Sequence, residues 1–338
     1  MAAVSVRDVA ALAGVSLGTV SNALNRPDRV SPSTLYRVQE AIDKLGFVRN
    51  DAARQLRAGR SRSIGLVVLD IGNPFFTDLA EGAEDRASEA GFALLLGNSH
   101  GTVARETAHL ALFEEQRVRG MLISPVADIS PQVRRLRSRD IPTVLVDRAI
   151  SDESFSSVSV DDVAGGTLAV SHLLSTGRRR VAFVGGPTRI RQVSDRLEGA
   201  GNAISVVNGA TLEVLGTQSL TVLEGRRIGE LIVNRAPRDR PDAIFAANDL
   251  LATGLLQGLT MLGRLRVPDD IALVGYDDIA FASATVVPLT SIRQPSGMLG
   301  RTAVDLLLAE SENPEGHQPQ QVVFEPELVI RDSTVAQQ

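Results

Sequence analysis

The chain has 338 residues, 43% of them hydrophobic and 22% charged, with a formal net charge of -5 and no cysteine. This length and apolar content suit two or three folded units and exclude a disordered polymer, and the missing cysteine excludes disulfides, thiolate zinc sites and a cysteine nucleophile. The charge is unevenly placed: residues 1–62 hold ten Lys and Arg against five Asp and Glu, a net of +5, while the remainder holds 25 against 35, a net of -10, as expected of a small basic module that meets phosphate joined to an acidic body that does not.

The chain opens with MAAVSVRDVA, which has neither the basic nor the apolar stretch of a signal peptide. No later run approaches the roughly 18 uncharged apolar residues of a membrane span. The expectation is a cytoplasmic protein with no membrane contact. Ser5 with Asp8 three residues on resembles a capping box, and Val6, Val9, Ala10 and Ala13 follow at helical spacing, so a first helix is expected to run to Gly14.

Residues 13–25, AGVSLGTVSNALN, contain Gly14-Val15-Ser16-Leu17-Gly18, the G-x-S-x-G pattern of a hydrolase nucleophile elbow. An elbow serine sits between a strand and a helix. Here a helix precedes it, so Ser16 is read instead as the N-cap of a second helix that buries Val20 and Leu24 and stops at Arg26-Pro27. A third helix is expected from Ser31-Pro32, an N-cap followed by proline, with Leu35, Val38, Ile42 and Leu45 on one face and Gly46 at its end. Three short helices, two of them joined by a tight glycine-containing turn, form a helix-turn-helix with residues 17–25 in the recognition position.

VSVRDVAALAGVSLGTVSNALN followed by ARQL resembles the start of the LacI/GalR family of bacterial transcription regulators. On that resemblance Leu17, Gly18 and Asn22 face base edges of double-stranded DNA: Asn22 suits a bidentate pair with adenine, Leu17 a thymine methyl, and Gly18 a close backbone approach. Ser16, Thr19, Ser21 and Asn25 complete the DNA-facing set as contacts that fix register. The plainer alternative is that Leu17 packs inward and Asn22 is merely solvated. In NDAARQLRA, residues 50–58, Leu56 lies between Arg54 and Arg57, and an apolar side chain flanked by cations suits a minor-groove wedge; the resemblance implies hinge helices of a dimer prying open a central step. Otherwise Leu56 packs on the body. Arg49 stands where many members have proline.

Beyond GRSRS the runs IGLVVLD, FALLLGNS, GMLISPV, TVLVDRA, VAFVGG, AIFAAN and IALVGYDD alternate with helical stretches, the signature of parallel strands covered on both faces. Their number exceeds one sheet, so two doubly wound lobes are expected. Polar residues follow the strands where such sheets bind ligands: Asp147-Arg148, Asn248-Asp249 and Asp277-Asp278, with Arg196 expected to begin a helix after VAFVGG.

The expected fold is thus an N-terminal all-α helix-turn-helix domain (1–48), a hinge helix and linker (49–62), and an α/β body of the periplasmic-binding-protein type (63–338). Lobe 1 takes about 63–162 and 292–323, and lobe 2 about 163–291 and 324–338. The resemblance implies that the lobes close on an effector held by Asp147, Arg196, Asn248 and Asp277, with Phe75, Gln192 and Ser296 lining the pocket. The alternatives are that Asn248 or Asp277 caps a helix, that Asp147 pairs with Arg148, and that Phe75 is core.

Members often present an aromatic ring near GTQSLTVLEG, where this chain has Gln218, Ser219 and Leu220, and tryptophan is absent. A stacked purine is therefore less favoured than a sugar or sugar derivative, unless Phe281 or Tyr276 supplies the ring. His100, His109, His172 and His317 have no metal-ligand spacing, Gly-Lys is absent and no G-x-G-x-x-G follows a strand, so no metal, cofactor or catalytic residue is expected. The reading is an effector-controlled repressor, a homodimer on a pseudo-palindromic operator, since RDSTVAQQ at the end offers no heptads for a larger assembly. A solute-binding protein, or a hydrolase using Asp147 and Asp277 as acid and base, are the competing classes.

Overall fold

The computed structural model describes residues 4–47, 61–127, 129–149, 152, 154–262, 265–314 and 316–335. The chain divides after Ser61 into two compact units. The hinge residues Arg54, Leu56 and Arg57, with Arg49, lie outside the described residues.

The first unit contains α1 (Val6–Ala13), α2 (Leu17–Asn25) and α3 (Pro32–Leu45). Each boundary has a local cause. The Asp8 carboxylate accepts from the Ser5 backbone N–H at 2.8 Å, Ser16 Oγ accepts from Thr19 N at 3.1 Å, and Ser31 Oγ accepts from Thr34 N ahead of Pro32. Gly14 and Gly46 take left-handed φ of 64° and 60°, the conformation that ends a helix and suits glycine. Val9, Ala10, Ala13, Val20, Ala23, Val38, Ala41 and Phe47 form one core. Ala23, rather than Leu24, joins Val20 as the buried face of α2; Leu24 is half-buried at the core's edge. The α1–turn–α2 pair therefore requires a helix, not a strand, before Ser16, and a nucleophile elbow is excluded.

The second unit consists of two lobes, each a six-stranded sheet. Lobe 1 contains β1 (Ser63–Val68), β2 (Ala93–Asn98), β3 (Met121–Ile123), β4 (Thr143–Val146), β5 (Ser156–Val160) and β11 (Gln321–Phe324). Its strand order is β11-β5-β4-β3-β1-β2. Lobe 2 contains β6 (Arg180–Gly185), β7 (Thr211–Gly216), β8 (Ala243–Ala246), β9 (Ala272–Asp277), β10 (Thr290–Arg293) and β12 (Glu327–Val329), ordered β12-β10-β9-β8-β6-β7. All pairings are parallel except β12 on β10. Strands buried on both faces explain the unbroken apolar runs: β3, β4 and β8 are buried at every position.

Helices cover these sheets: α4 (Pro74–Glu89), α5 (Val103–Glu115), α6 (Ser130–Arg137) and α11 (Ser296–Glu312) in lobe 1, and α7 (Asp162–Ser175), α8 (Arg191–Ser205), α9 (Val222–Val233) and α10 (Asp249–Leu256) in lobe 2. The chain changes sheet three times, after Val160, after Arg293 and after Phe324. The helices that follow the first two crossings lie backbone to backbone against cavity-lining helices. A Cβ on Gly300 of α11 would come within 2.0 Å of Leu79 O on α4, and one on Gly166 of α7 within 2.1 Å of Arg196 O on α8. Only glycine permits either approach.

Two expectations about elements need correction. Arg196 does not begin a helix: α8 starts at Arg191, and Arg196 stands on its second turn, because the chain turns at Pro187–Ile190, where Ile190 N donates to Pro187 O. The strands β5, β7, β10, β11 and β12 were not among the apolar runs read from the sequence. β5 is SSVSV, its serines buried although polar, and β7 is an edge strand whose residues are mostly exposed.

Candidate functional site

In the first unit Leu17 is 48% exposed and Gly18, Ser21, Asn22 and Asn25 are exposed beside it, so positions 17, 18, 21, 22 and 25 make one outward face of α2. Leu17 does not pack inward. Asn25 Nδ2 bonds back to Ser21 O at 2.9 Å, while Ser16 and Thr19 share a 2.9 Å hydroxyl contact at the helix start. Leu17 and Asn22 are therefore the side chains on that face with reach to offer, on the second helix of a helix-turn-helix, the one that enters a major groove.

The body encloses a cavity of about 150 Å³ between the carboxyl ends of the two sheets. Phe75, Asp147, Gln192, Arg196, Asn248 and Asp277 all line it. Ser296 does not. The chain turns at Gln294-Pro295, with Ser296 N bonded to Gln294 O, and the side chain that reaches the site from this crossing is Gln294, whose Nε2 donates to Asp277 Oδ1 at 2.8 Å.

Arg196 is the only described cation at the deep end, and four interactions fix it. Its Nε donates to Asp162 Oδ1 at 2.8 Å, its Nη1 donates to Ala247 O at 2.7 Å and stands 3.7 Å from Asp277 Oδ1, and the guanidinium lies 3.6 Å from the ring centroid of Tyr276. Burial opposes its charge, but Asp162, Tyr276 and Asp277 override this and raise its pKa further.

Three buried carboxylates, Asp147, Asp162 and Asp277, face that single guanidinium. Burial raises Asp147 well above the usual carboxylate range, with Asp162 and Asp277 adding repulsion that Arg196 only partly offsets. Burial likewise lifts Asp277 to about 6 against the pull of Arg196 and the carboxamides of Asn73 and Gln294. Asp147 and Asp277 both hold positive φ, 58° and 103°, uncommon for a side chain with a Cβ and a mark of positions held by their surroundings. Asp147 Oδ1 is buried with no hydrogen-bond partner, so the site as closed holds one unsatisfied carboxyl oxygen.

Several alternatives are decided by these contacts. Asn248 does both things: its Oδ1 caps α10 through Leu251 N at 3.0 Å while its Nδ2 donates to Leu220 O at the cavity wall. Asp147 does not pair with Arg148, whose guanidinium donates to Ala127 O. Phe75 belongs to the lobe 1 core and also lines the cavity, edge-on to Phe76 at 5.0 Å.

Neither Phe281 nor Tyr276 supplies a ring to the cavity. Phe281 is 63% exposed, and Tyr276 is fully buried beneath Arg196, so the rings in the wall are Phe75 and Phe76. Sequence reading missed Asn73, Asp162 and Gln294, and it expected of Tyr276 a ring for the ligand where the structure gives it a place under Arg196. Among the described residues no group of three or more His, Asp and Glu could hold a metal ion, and no helix is long and apolar enough to cross a membrane.

Residues 5–50 match the model for bacterial regulatory proteins of the lacI family, and residues 170–334 that for the periplasmic binding protein-like domain. The chain is similar to the HTH-type transcriptional regulator CelR of Thermobifida fusca, 35% identical with 96% of each chain covered. It is also similar to the HTH-type transcriptional repressor PurR of Vibrio vulnificus, 31% identical over 97% of this chain and 98% of that one, and to the ribose operon repressor of Bacillus subtilis, 33% identical over 90% of each. Among solved structures it resembles the lac repressor dimer bound to operator and the anti-inducer ONPF, with a TM-score of 0.85 and 27% identity over 99% of this chain and 100% of that one. It also resembles a regulator of the same family from Enterococcus faecium with bound ribose, with a TM-score of 0.73 and 30% identity over 82% of this chain and 100% of that one.

Proposed function

The chain belongs to the LacI family of bacterial regulatory proteins, which makes it a DNA-binding transcriptional regulator and not an enzyme, and on that premise we propose that a small sugar in the body's cavity sets the affinity of its helix-turn-helix for an operator. The observation that carries this reading is the convergence of Asp147, Arg196, Asn248 and Asp277, two acceptors and two donors, around a space bounded on one side by Phe75 and Phe76. Such a set grips vicinal hydroxyls while the rings cover an apolar sugar face. The volume of about 150 Å³ is many times the roughly 10–15 Å³ that one water needs, room for a small ligand such as a sugar. Ribose in a related regulator supports the same class.

On DNA, we assign base contacts to Leu17, Gly18 and Asn22, backbone contacts to Ser16, Thr19, Ser21 and Asn25, and the minor-groove wedge to Leu56 between Arg54 and Arg57. The protein acts as a cytoplasmic homodimer whose two-fold axis matches a pseudo-palindromic site. Ligand and operator affinities are linked, so each ligand that changes one must change the other by the same factor.

The test is fluorescence anisotropy of labelled DNA from upstream of the gene and its neighbours, titrated with purified protein and then challenged with pentoses, hexoses, sugar phosphates and purines. Release of the DNA by one sugar makes it an inducer and tightening makes it a co-repressor. Binding that no sugar moves, with a purine active instead, refutes the ligand class.

A further inference from the structure

The two sheets share one strand plan, so their elements can be paired. β1 and β6 both stand fifth in order, and β4 and β9 both stand third. Asp147 directly follows β4 and Asp277 ends β9, so the two carboxylates occupy matching places, and both hold positive φ. Asn73 caps α4 after β1, and Gln192 is the second residue of α8 after β6, so the two carboxamides match as well.

Across the cleft these four side chains are joined reciprocally. Asn73 of lobe 1 donates through Nδ2 to Asp277 Oδ2 of lobe 2 at 2.9 Å. Gln192 of lobe 2 donates through Nε2 to Asp147 Oδ2 of lobe 1 at 2.8 Å, and to Asp147 O. All four are at least nine-tenths buried. Each lobe thus supplies one donor and one carboxylate to the other, and Ile190 packs against the cores of both.

We propose that Asn73 and Gln192 form a reciprocal clasp that shuts the cleft before any ligand enters, so that Asp147 and Asp277 meet the ligand already aimed and its arrival stabilises a closed state rather than creating it. Both bonds are buried, and losing one shifts the closed-to-open ratio by up to about tenfold. The clasp leaves one carboxyl oxygen buried and without a partner, Asp147 Oδ1. Its consequence for the ligand rests on the effector reading; its existence does not. Because a ligand's apparent affinity scales with the closed fraction, loss of one carboxamide weakens ligand binding even where that group never touches the ligand.

The chain has no cysteine of its own, so Ser88→Cys on lobe 1 and Asn208→Cys on lobe 2, both exposed, take a donor and acceptor dye on the full chain. Energy transfer is read with excess unlabelled chain so that each assembly carries one labelled copy. The clasp is removed by Gln192→Leu, which keeps bulk without a donor, and by Asn73→Ser, which keeps a helix cap too short to cross the cleft. Without ligand, the parent chain is expected to show transfer that ribose hardly changes and that exceeds that of the variants. Each variant should lower the closed-to-open ratio by up to about tenfold, and the pair by up to about a hundredfold.

Transfer in the ligand-free parent no higher than in the double variant overturns the clasp, as does a Gln192→Leu variant as closed as the parent. If Asn73→Ser does not fold, Gln192→Leu decides alone. A ribose that alters neither transfer nor DNA binding, with the ligand-free difference intact, counts against the proposed effector class and leaves the clasp standing.

Discussion

Arg196→Ala is the substitution from which the site's electrostatics can be measured. The guanidinium is buried with Asp162 at 2.8 Å and Asp277 at 3.7 Å, and at an effective dielectric constant of 20 one such pair at about 4 Å is worth about 4 kcal/mol before desolvation. Removing one partner of a buried pair typically costs about 3–5 kcal/mol, because the remaining charge is left uncompensated. The contact on Tyr276, desolvated as it is, adds about 2 kcal/mol.

The carboxylates have an escape: they can take up protons. Arg196 lowers the pKa of Asp147, Asp162 and Asp277 against the upward push of burial, so its loss raises all three. Groups with raised native pKa values bind protons that the unfolded chain has released. Stability therefore falls as pH rises from the unfolded value toward the native one, and the variant's deficit must be smallest at low pH and grow toward neutrality. Urea unfolding of the parent chain and Arg196→Ala at pH 5 and pH 8 should show a deficit of about 3–5 kcal/mol at pH 8 that shrinks at pH 5. Adding Asp162→Asn should restore part of it. A deficit under about 1 kcal/mol, or one equal at both pH values, would falsify the reading of Arg196 as the counter-charge of this cluster.

Other outcomes test other parts of the reading. Asn22→Ala is expected to weaken operator binding by about 1–3 kcal/mol, a loss confined to one base pair in each half-site; a loss equal on random DNA would make Asn22 a backbone contact. Leu56→Ala should reduce operator affinity far more than general DNA affinity, and equal loss on both in paired anisotropy titrations would remove the wedge role. The active sugar should bind more weakly below pH 6. Hydroxyl donors prefer an ionised Asp277, whose free pKa is about 6, so affinity measured by calorimetry should fall toward tenfold per pH unit as pH drops below that value. Affinity that is flat from pH 7 to pH 5 argues against a ligand bonded to Asp277.

Where sequence reading worked, the cause was local. Ser16, Ser31, Gly14 and Gly46 set the ends of α1, α2 and α3 through contacts within four residues, and such signals survive in one sequence without any knowledge of the fold. The buried strands were visible for a similar reason, since burial on both faces requires unbroken apolar runs. β5 escaped because its serines are buried yet polar, with Ser156 Oγ held by Gln320 N from outside its own strand.

The cavity was legible only in part, because a polar residue at a strand end has the same appearance whether it caps, pairs or waits for a ligand. Asn73 was hidden by its own cap: NPFF announces a helix start, and nothing local shows that the same side chain reaches Asp277, 204 residues away. Asp162 looks like an ordinary first-turn acid of α7, yet it anchors Arg196. Asn248 shows that capping and lining are not alternatives, since one carboxamide presents its oxygen to the helix and its nitrogen to the cavity wall. A helix N-terminus beyond a strand's carboxyl end is both where a chain needs a cap and where a doubly wound sheet opens its cleft, so the site recruits the residues that start the helices around it. Ser296 starts a helix too, but its side chain does not line the cavity, and there the side chain that serves the site is Gln294, from the crossing segment itself.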